Sequence, residues 1–419
     1  MEPKLLDHLF RHHSGKMVSV LTRIFGLQHL DIIEDAVQDT FIKASLSWRK
    51  EQPEYPEAWL TKAAKNRVLD IFRTLKAQKN NSPNITQGTD AIAINELFLD
   101  SEIEDAQLRM IFTACHPKLD PRDRISFALK TVSGFSIKEI ASALLTKEET
   151  IKKRLLRARK AIKNADLQFN IPQGKNLQER LDSVLEVLYL IFNEGFHSNS
   201  KDQLIREDLC GESLRLCQLL LNHKETQLPE CYALFSLLCF HSARLEAKTN
   251  LNNEVLDLKQ QDRALWHMPL IELGNSMMFK AVETEYFSCY HYEAAIAAEH
   301  LKAKTFEDTN WNKISHWYDA LYTLQPMPSH LLTMAVIAIQ TKDYKIANAY
   351  LKQLEPEDLE QRAYLYYAAK ADYYAETDNV DEAILQLDLA LNTVTNTLEK
   401  AYLLKKNQLG YFSYNYFKK

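Results

Sequence analysis

Residues 136 to 160 read SIKEIASALLTKEETIKKRLLRARK and contain two helix-start signatures ten positions apart. In each signature a Ser or Thr stands three residues before a Glu, at Ser136 to Glu139 and at Thr146 to Glu149. This is the pattern of a capping box, in which the two side chains satisfy backbone groups left free at a helix start. Two helices with a short turn between them are therefore predicted. The arrangement is typical of a helix-turn-helix that reads DNA.

Both predicted helices have an apolar face along which they can pack on each other. The first stripe is Ile137, Ile140, Ala141 and Leu144, and the second is Ile151, Leu155, Ala158 and Ile162. The free face of the second helix is basic, which suits entry of its N-terminal half into the major groove among phosphates. A solvated basic helix that faces a protein partner is the alternative.

Composition and charge indicate where nucleic acid would bind. The chain has 419 residues, is 46% apolar and contains only nine Gly and twelve Pro, which predicts an all-α fold with two or three domains. Residues 1–170 have 27 Lys and Arg against 22 Asp and Glu, whereas residues 171–419 have 24 against 34. We expect nucleic-acid binding in the basic part, and the acidic part could contact it within the molecule.

The remaining composition favours a cytoplasmic protein that is not an enzyme. We expect neither a membrane span nor a signal peptide, because no apolar run or leader of the required kind occurs. The six cysteines are interpreted as buried apolar residues. No cofactor or metal is expected: Cys231, Cys239 and His241 lie close in sequence but match no familiar zinc motif. No catalytic motif was found, and adjacent Cys115 and His116 point apart on a helix.

A helix predicted over residues 31–48 has an apolar stripe and an opposite face of mixed character. The stripe is Ile33, Val37, Phe41, Ala44 and Trp48, and the opposite face holds Asp35, Gln38, Asp39 and Ile42. Two carboxylates, an amide and one aliphatic side chain suit docking on a basic partner surface. Ordinary solvated surface is the alternative.

A second helix is predicted to start at Pro56, where Pro is favoured, and to run to about Lys76. Its apolar stripe is Leu60, Ala64, Val68, Ile71 and Leu75, and its far side holds Lys62, Lys65, Asn66, Arg73 and Lys76. Tyr55 and Trp59 lie near its start. Basic groups beside aromatic rings suit single-stranded or locally melted DNA, although Trp59 could equally be a core residue.

Three segments resemble a known family in their order and spacing. They are EDAVQDTFIKA (34–44), YPEAWLTKAAKNRVLDIFR (55–73) and SGFSIKEIASALLTKEETIKKRLLRARK (133–160). They are similar to regions 2 and 4 of extracytoplasmic-function sigma factors, the smallest bacterial RNA polymerase sigma subunits. The resemblance implies that the first segment binds the β′ clamp helices of core polymerase, the second melts and reads the −10 promoter element, and the third reads the −35 element. The β subunit is a further expected contact.

The resemblance assigns three sets of residues. The polymerase-binding set is Asp35, Gln38, Asp39 and Ile42. The −10 set is Trp59, Lys62, Lys65, Asn66, Arg67 and Arg73. The −35 set is Lys147, Thr150, Lys153, Arg154, Arg157 and Arg159.

The resemblance and the local patterns give a domain plan. Region 2 is predicted in 1–78, a linker in 79–101, region 4 in 102–167, a second linker in 168–177 and a helical domain in 178–419. In region 4, further helices are predicted to support the two helices of the helix-turn-helix. Their signals are an apolar stripe from Leu108 to Cys115, a helix cap at Asp120-Pro121 and a helix end at Gly134. The first linker could extend to ~80 Å, enough for two promoter readers roughly two duplex turns of ~34 Å apart.

The last part of the chain contains a weak internal repeat. Residues 343–349 align with 379–385 at an offset of 36, near the tetratricopeptide period, so such repeats are predicted from about residue 315. Residues 188–196, 260–271 and 292–311 look like the C-terminal extension of one sigma-factor subgroup. This likeness implies modulation of sigma activity in cis. A stand-alone helix-turn-helix regulator with a helical sensor domain is the alternative function.

Overall fold

The computed structural model describes residues 3–48, 52–78, 100–144, 146–197, 205–250, 254 and 256–406. Within these ranges the chain is helical and has no β-strand, so the predicted all-α class is confirmed. Most of the predicted first linker, residues 79–99, lies outside the described residues.

The chain divides into two compact units, which are described separately. Unit 1 comprises residues 1–191 and 222–226, and unit 2 comprises residues 192–221 and 227–419. The domain boundaries drawn from the sequence stay predictions.

Unit 1 is built from seven helices and the greater part of an eighth. They are α1 (Pro3–Phe25), α2 (Leu30–Ser47), α3 (Pro56–Gln78), α4 (Asp100–Ala114), α5 (Pro121–Thr131), α6 (Ile137–Ala143), α7 (Glu148–Asn164) and α8 (Lys175–Phe196). In α7 all four residues of the predicted stripe are buried, whereas Ile137 and Leu144 at the ends of the α6 stripe are half-buried. Helices α6 and α7 pack on each other, as the helix-turn-helix prediction requires.

Local capping explains where two of these helices begin. The Asp120 side chain accepts from the backbone N–H of Arg122, with Pro121 in the first turn of α5. At α6 the predicted capping box is confirmed, since Ser136 and Glu139 each accept from the other's backbone N–H. Gly134 has a φ of 70°, a left-handed conformation that glycine adopts without steric strain. The short segment between α5 and α6 is thus specified by local sequence.

The second predicted capping box is wrong. Helix α7 begins at Glu148 with Lys147 as its N-cap, and no side chain caps it. Thr146 instead donates its backbone N–H to the carbonyl oxygen of Ala141 at 2.9 Å. This bond closes the C-terminal turn of α6, so Thr146 belongs to the end of one helix and not to the start of the next.

Helix α1 lies between two layers of unit 1. It packs on α2 and α3 on one side and on α4 and α5 on the other. From Ser14 to Thr22 every residue except Lys16 is buried. A Cβ on Gly15 would overlap the carbonyl oxygen of Val132, so the backbones of α1 and of the turn after α5 meet closely at this glycine. Region 2 and region 4 helices therefore share α1 as a common core.

Unit 2 continues with the end of α8 and ten further helices. They are α9 (Glu207–Asn222), α10 (Pro229–Ser242), α11 (Met268–Ala281), α12 (Cys289–Lys302), α13 (Trp311–Leu324), α14 (Pro328–Gln340), α15 (Tyr344–Leu351), α16 (Ala363–Glu376), α17 (Val380–Thr393) and α18 (Thr397–Lys406). Many neighbouring helices pack on each other, most extensively α10 on α11 and α16 on α17.

The offset of 36 residues seen in the sequence recurs as a repeated turn. Lys342 and Asp378 both have a positive φ, of 63° and 58°. One residue later, Asp343 and Asn379 each cap the following helix through a side-chain oxygen. Ala347 and its counterpart at 383 are fully buried where the helices meet, because a small side chain permits their close approach.

The burial of the cysteines agrees with their interpretation as buried apolar residues, except at Cys289. Five of the six cysteines are buried and Cys289 is half-buried. In the described ranges no helix is both long and apolar enough to span a bilayer. Within the same ranges, no group of three or more His, Cys, Asp and Glu side chains is placed to hold a metal ion.

Candidate functional site

The polymerase-binding set lies on one exposed face of α2. Asp35, Gln38, Asp39 and Ile42 are all exposed, and the Ile42 side chain is 52% exposed. Leu46 continues this face at 62% exposure and was missed by the sequence analysis, although it lies one turn beyond Ile42. A face with charged residues around exposed aliphatic side chains has the composition of a docking surface.

The −10 set lies on α3, next to this face. Lys62, Asn66, Arg67 and Arg73 are exposed, whereas Trp59 and Lys65 are half-buried. Arg67 donates from Nε and Nη2 to Asp39 Oδ2 at 3.1 and 2.8 Å, so the two predicted sets are joined by an ion pair. Arg73 pairs with Asp70 one turn earlier on the same helix.

The aromatic residues at the start of α3 differ in their availability. Trp59 packs edge to face on the buried Trp48, with ring centroids 5.4 Å apart. Tyr55 is 68% exposed. Of the two rings, Tyr55 is therefore the more available for stacking on an unpaired base, while part of Trp59 stabilises the contact between α2 and α3.

The −35 set lies along α7, but its members differ in their surroundings. Lys147, Lys153 and Arg157 are exposed, and Thr150, Arg154 and Arg159 are half-buried. Arg157 donates from Nη2 and Nε to the carboxylate of Asp123 at 2.6 and 3.0 Å, and the Asp123 side chain is only 3% exposed. This arginine therefore neutralises a buried carboxylate near the start of α5.

Arg159 connects α7 to the polymerase-binding helix. Its guanidinium pairs with Glu34, and its Nε lies 2.8 Å from Asp31 Oδ1. The Glu34 side chain is 10% exposed. Burial raises the pKa of the Glu34 carboxyl, while the charge of Arg159 opposes that shift. In this arrangement the guanidinium of Arg159 faces region 2.

Helices α2 and α7 thus face each other across a cleft of about 460 Å³. Asp35 and Gln38 of the polymerase-binding set line this cleft together with Arg159. At the far end of α1, Arg23 pairs with Glu102 and Asp105 of α4 at 2.6 and 2.9 Å. We call the packing of region 2 on region 4 through α1, Arg23 and Arg159 the closed arrangement.

Cys115 and His116 do not form a nucleophile and base. Cys115 is buried at 1% exposure, and burial raises the pKa of its thiol to about 12. Burial also lowers the pKa of His116 to about 4. A thiol with a raised pKa is a poor nucleophile at neutral pH, since the thiolate is the reactive form.

The order of these surfaces agrees with comparisons with known protein families. Residues 9–78 match the model of sigma-70 region 2, and residues 109–162 match that of sigma-70 region 4. Residues 180–282 match a family of unknown function, DUF6596. The order of the matches is the order predicted from the sequence.

Individual relatives extend the comparison over nearly the whole chain. The chain is 32% identical to "Uncharacterized protein R00370" of Rhizobium meliloti (strain 1021) over 391 residues, which cover 92% of this chain and 91% of that protein. It is 27% identical over 158 residues to the ECF RNA polymerase sigma factor SigE of Mycolicibacterium smegmatis, covering 38% of this chain and 60% of SigE. It is 26% identical over 152 residues to the ferric citrate uptake sigma factor FecI of Escherichia coli, covering 36% and 85%. No solved structure matches.

The two sigma-70 regions, with their exposed α2 face and their helix-turn-helix, define a sigma subunit of bacterial RNA polymerase. The chain belongs to the extracytoplasmic-function sigma factors and has a helical C-terminal extension.

Proposed function

We propose that the protein directs initiation at a specific set of promoters through the three sets of residues defined above. Helix α2 docks on the β′ clamp helices, with the β subunit as a further contact. Helix α3 opens and reads the −10 element, and α7 reads the −35 element. The exposed α2 face, with acidic and aliphatic residues beside the basic α3, is the observation that carries this assignment. The protein has no reaction of its own and acts in the cytoplasm, at the nucleoid when bound to polymerase.

Replacement of two exposed residues of α2 tests the docking assignment. Asp35→Ala combined with Gln38→Ala should weaken binding to core polymerase at least tenfold, because both side chains are exposed on the docking face. Glu179→Ala, an exposed acidic residue of α8, is the matched control and should bind normally. Binding is measured by interferometry with immobilised core enzyme. Unchanged affinity of the double variant would contradict docking through this face, and no binding by the unchanged protein would support the stand-alone regulator instead.

The closed arrangement supports a second step in this function. Arg159, a predicted −35 reader, is paired with Glu34 and Asp31 of α2, and the cleft between them holds Asp35 and Gln38. While the guanidinium of Arg159 holds these ion pairs, it cannot also contact a −35 element. We infer that region 4 separates from region 2 before initiation.

Modulation in cis by unit 2 is part of the same proposal. The likeness of the chain to R00370 extends through unit 2, whereas its matches to SigE and FecI span 158 and 152 residues. An acidic extension on a basic sigma core could favour either the closed or the open arrangement. Activity measured on the full chain and on a chain without unit 2 distinguishes these two directions.

A further inference from the structure

Unit 2 contains a group of basic side chains around the ring of Phe196, at the end of α8. We call it the basic cluster; its members are His197, His241, Arg244 and Lys248 around the ring, together with Arg263 and His300, which lie close enough to Arg244 to interact with it electrostatically. Lys248 Nζ lies 3.5 Å from the centroid of the Phe196 ring, and the His241 and His197 rings each lie 4.8 Å from it. Arg244 approaches the same ring to 5.9 Å. Segments distant in sequence thus bring their basic groups to one place.

Existing hydrogen bonds hold these groups in position. Arg244 Nη2 lies 3.1 Å from His241 Nδ1, and Lys248 Nζ donates to the carbonyl oxygen of Phe196. Arg263 Nη1 donates to the carbonyl oxygens of His300 and Ala303, while its guanidinium stacks 4.4 Å above Trp266. The cluster is therefore built at the ends of α8, α10 and α12 and in two short 3-10 turns, Glu246–Lys248 and Arg263–Leu265.

Carboxylates act on the cations of the cluster only from a distance, Glu399 on Lys248, and Glu307 and Asp308 on Arg263. No ion pair joins Arg244, Lys248 or Arg263 to an Asp or Glu of the described residues within 4.0 Å. Two nitrogens, Arg263 Nη2 and His300 Nδ1, are buried and have no hydrogen-bond partner in the described part of the chain. Buried charges are normally paired, because removing an unpaired charge from water is costly.

The cost of burying these charges lowers the pKa of two members of the cluster. Burial lowers the pKa of Lys248, which is 9% exposed, to about 7, and the nearby charge of Arg244 adds to this shift. Burial and the charge of Arg263 lower the pKa of Arg244 to about 10. Both side chains are held where their positive charge is disfavoured unless a negative charge joins them.

We propose that the basic cluster binds a small dianion of the phosphate type. Its basic groups lie in one place in unit 2, two buried nitrogens among them lack partners, and His241, Arg244 and His300 are only half-buried. A tetrahedral dianion can accept from arginine, lysine and imidazole donors at once, which offsets the repulsion between them. The ligand is either inorganic phosphate or a phosphate monoester. This inference does not depend on the role of unit 1.

Calorimetry on the full chain tests the site. Inorganic phosphate at a hundredfold excess over its Kd should raise the melting temperature by about 5 °C. Sodium chloride at the same ionic strength should not. Glycerol 3-phosphate is tested in the same way. Binding of either compound at the cluster supports the proposal, and comparison of the two shows whether the ligand is inorganic phosphate or a phosphate monoester.

Two variants separate ligand binding from structural support. Lys248→Met and Arg244→Gln should each weaken phosphate binding at least tenfold. In phosphate-free buffer their melting temperatures should equal or exceed that of the unchanged protein, because each substitution removes an unpaired charge. The exposed Lys345, changed to Met, is the matched control and should retain both the affinity and the response. If Lys248 and Arg244 only stabilised the fold, each substitution would lower the melting temperature both with and without phosphate.

His197→Gln extends the test to the end of α8, where the His197 ring packs on Phe196. It should reduce phosphate affinity about threefold. The proposal is overturned if neither phosphate compound stabilises the protein, if chloride does so equally, or if the cluster variants bind phosphate as well as Lys345→Met does.

Discussion

Arg154 and Arg157 belong to the same predicted DNA-reading face, but their surroundings indicate different roles. Arg157 pairs with the buried Asp123, whereas Arg154 has no ion pair with a carboxylate in the described part of the chain. An unpaired, half-buried arginine on the recognition helix is the better candidate for contact with a base or phosphate.

Alanine substitutions should separate these roles. Arg154→Ala should weaken binding to a −35 element by ~1–3 kcal/mol if the side chain reads a base, with unchanged stability. Arg157→Ala should lower the free energy of unfolding by about 1–2 kcal/mol, because Asp123 loses its partner. Promoter binding and urea unfolding measure the two effects. Equal stability of both variants would contradict the difference.

Lys248 predicts a pH dependence of stability. Its folded pKa of about 7 lies below the unfolded value of ~10.4. Between these values the unfolded chain holds a proton that the folded chain lacks, so stability rises with pH. The destabilisation of the folded chain by buried Lys248 is complete below pH 7. It is lost as the pH rises toward the pKa of this group in the unfolded chain.

The difference in melting temperature between the unchanged protein and Lys248→Met isolates this group. In phosphate-free buffer the unchanged protein should gain stability relative to the variant from pH 7 to pH 9. Scanning calorimetry at several pH values measures the difference. A difference independent of pH would show that Lys248 titrates normally.

At the level of elements, α1 packs on helices of both region 2 and region 4. Gly15 is the point of closest approach, because a Cβ there would overlap the Val132 carbonyl oxygen. Gly15→Ala should favour the helix itself by ~0.5–1 kcal/mol. The same change should force α1 away from the turn after α5 and so favour the open arrangement.

Hydrogen exchange detects this opening. In Gly15→Ala the amides of α4 and α5 should exchange faster, and the affinity for core polymerase should rise. Gly211→Ala in α9 is the matched control, because no atom lies within 4 Å of the added Cβ. If Gly15→Ala exchanges and binds like Gly211→Ala, the closed arrangement does not limit polymerase binding.

Elements specified by local sequence could be predicted, and those that depend on distant contacts could not. The α7 stripe and the Ser136 capping box follow from residues within one or two turns. The pairing of Arg159 with Glu34 joins residues 125 positions apart, which no local pattern encodes. The burial of α1 did leave a signal: MVSVLT at 17–22 is apolar or small on all sides, as in a helix packed between two layers.

At the scale of the molecule, the first part of α8 belongs to unit 1. Leu181, Val184 and Leu188 are buried, and Arg180 donates to the carbonyl oxygen of Phe112 at 2.8 Å. Ser183 donates to the carbonyl oxygen of Cys115 and accepts from Arg124. Side chains of α8 thus satisfy carbonyl groups at the end of α4, which would otherwise lack partners.

Truncated chains test how far the stability of unit 1 depends on α8. A chain ending at Gln168 should melt at least about 5 °C below a chain ending at His197, because it loses these bonds and the apolar face of α8. Circular dichroism measures both melting curves. Equal melting temperatures would show that α8 contributes nothing to unit 1. The activity of each form then shows whether unit 2 restrains or supports initiation.

The most direct test of the sigma-factor role is transcription in vitro. Purified protein is mixed with core RNA polymerase and a DNA fragment from upstream of its own operon, and run-off transcripts are mapped. We expect one defined start that depends on −35 and −10 elements and is lost with Asp35→Ala combined with Gln38→Ala. No specific transcript with the full chain, or an equal transcript with the double variant, would contradict the assigned role.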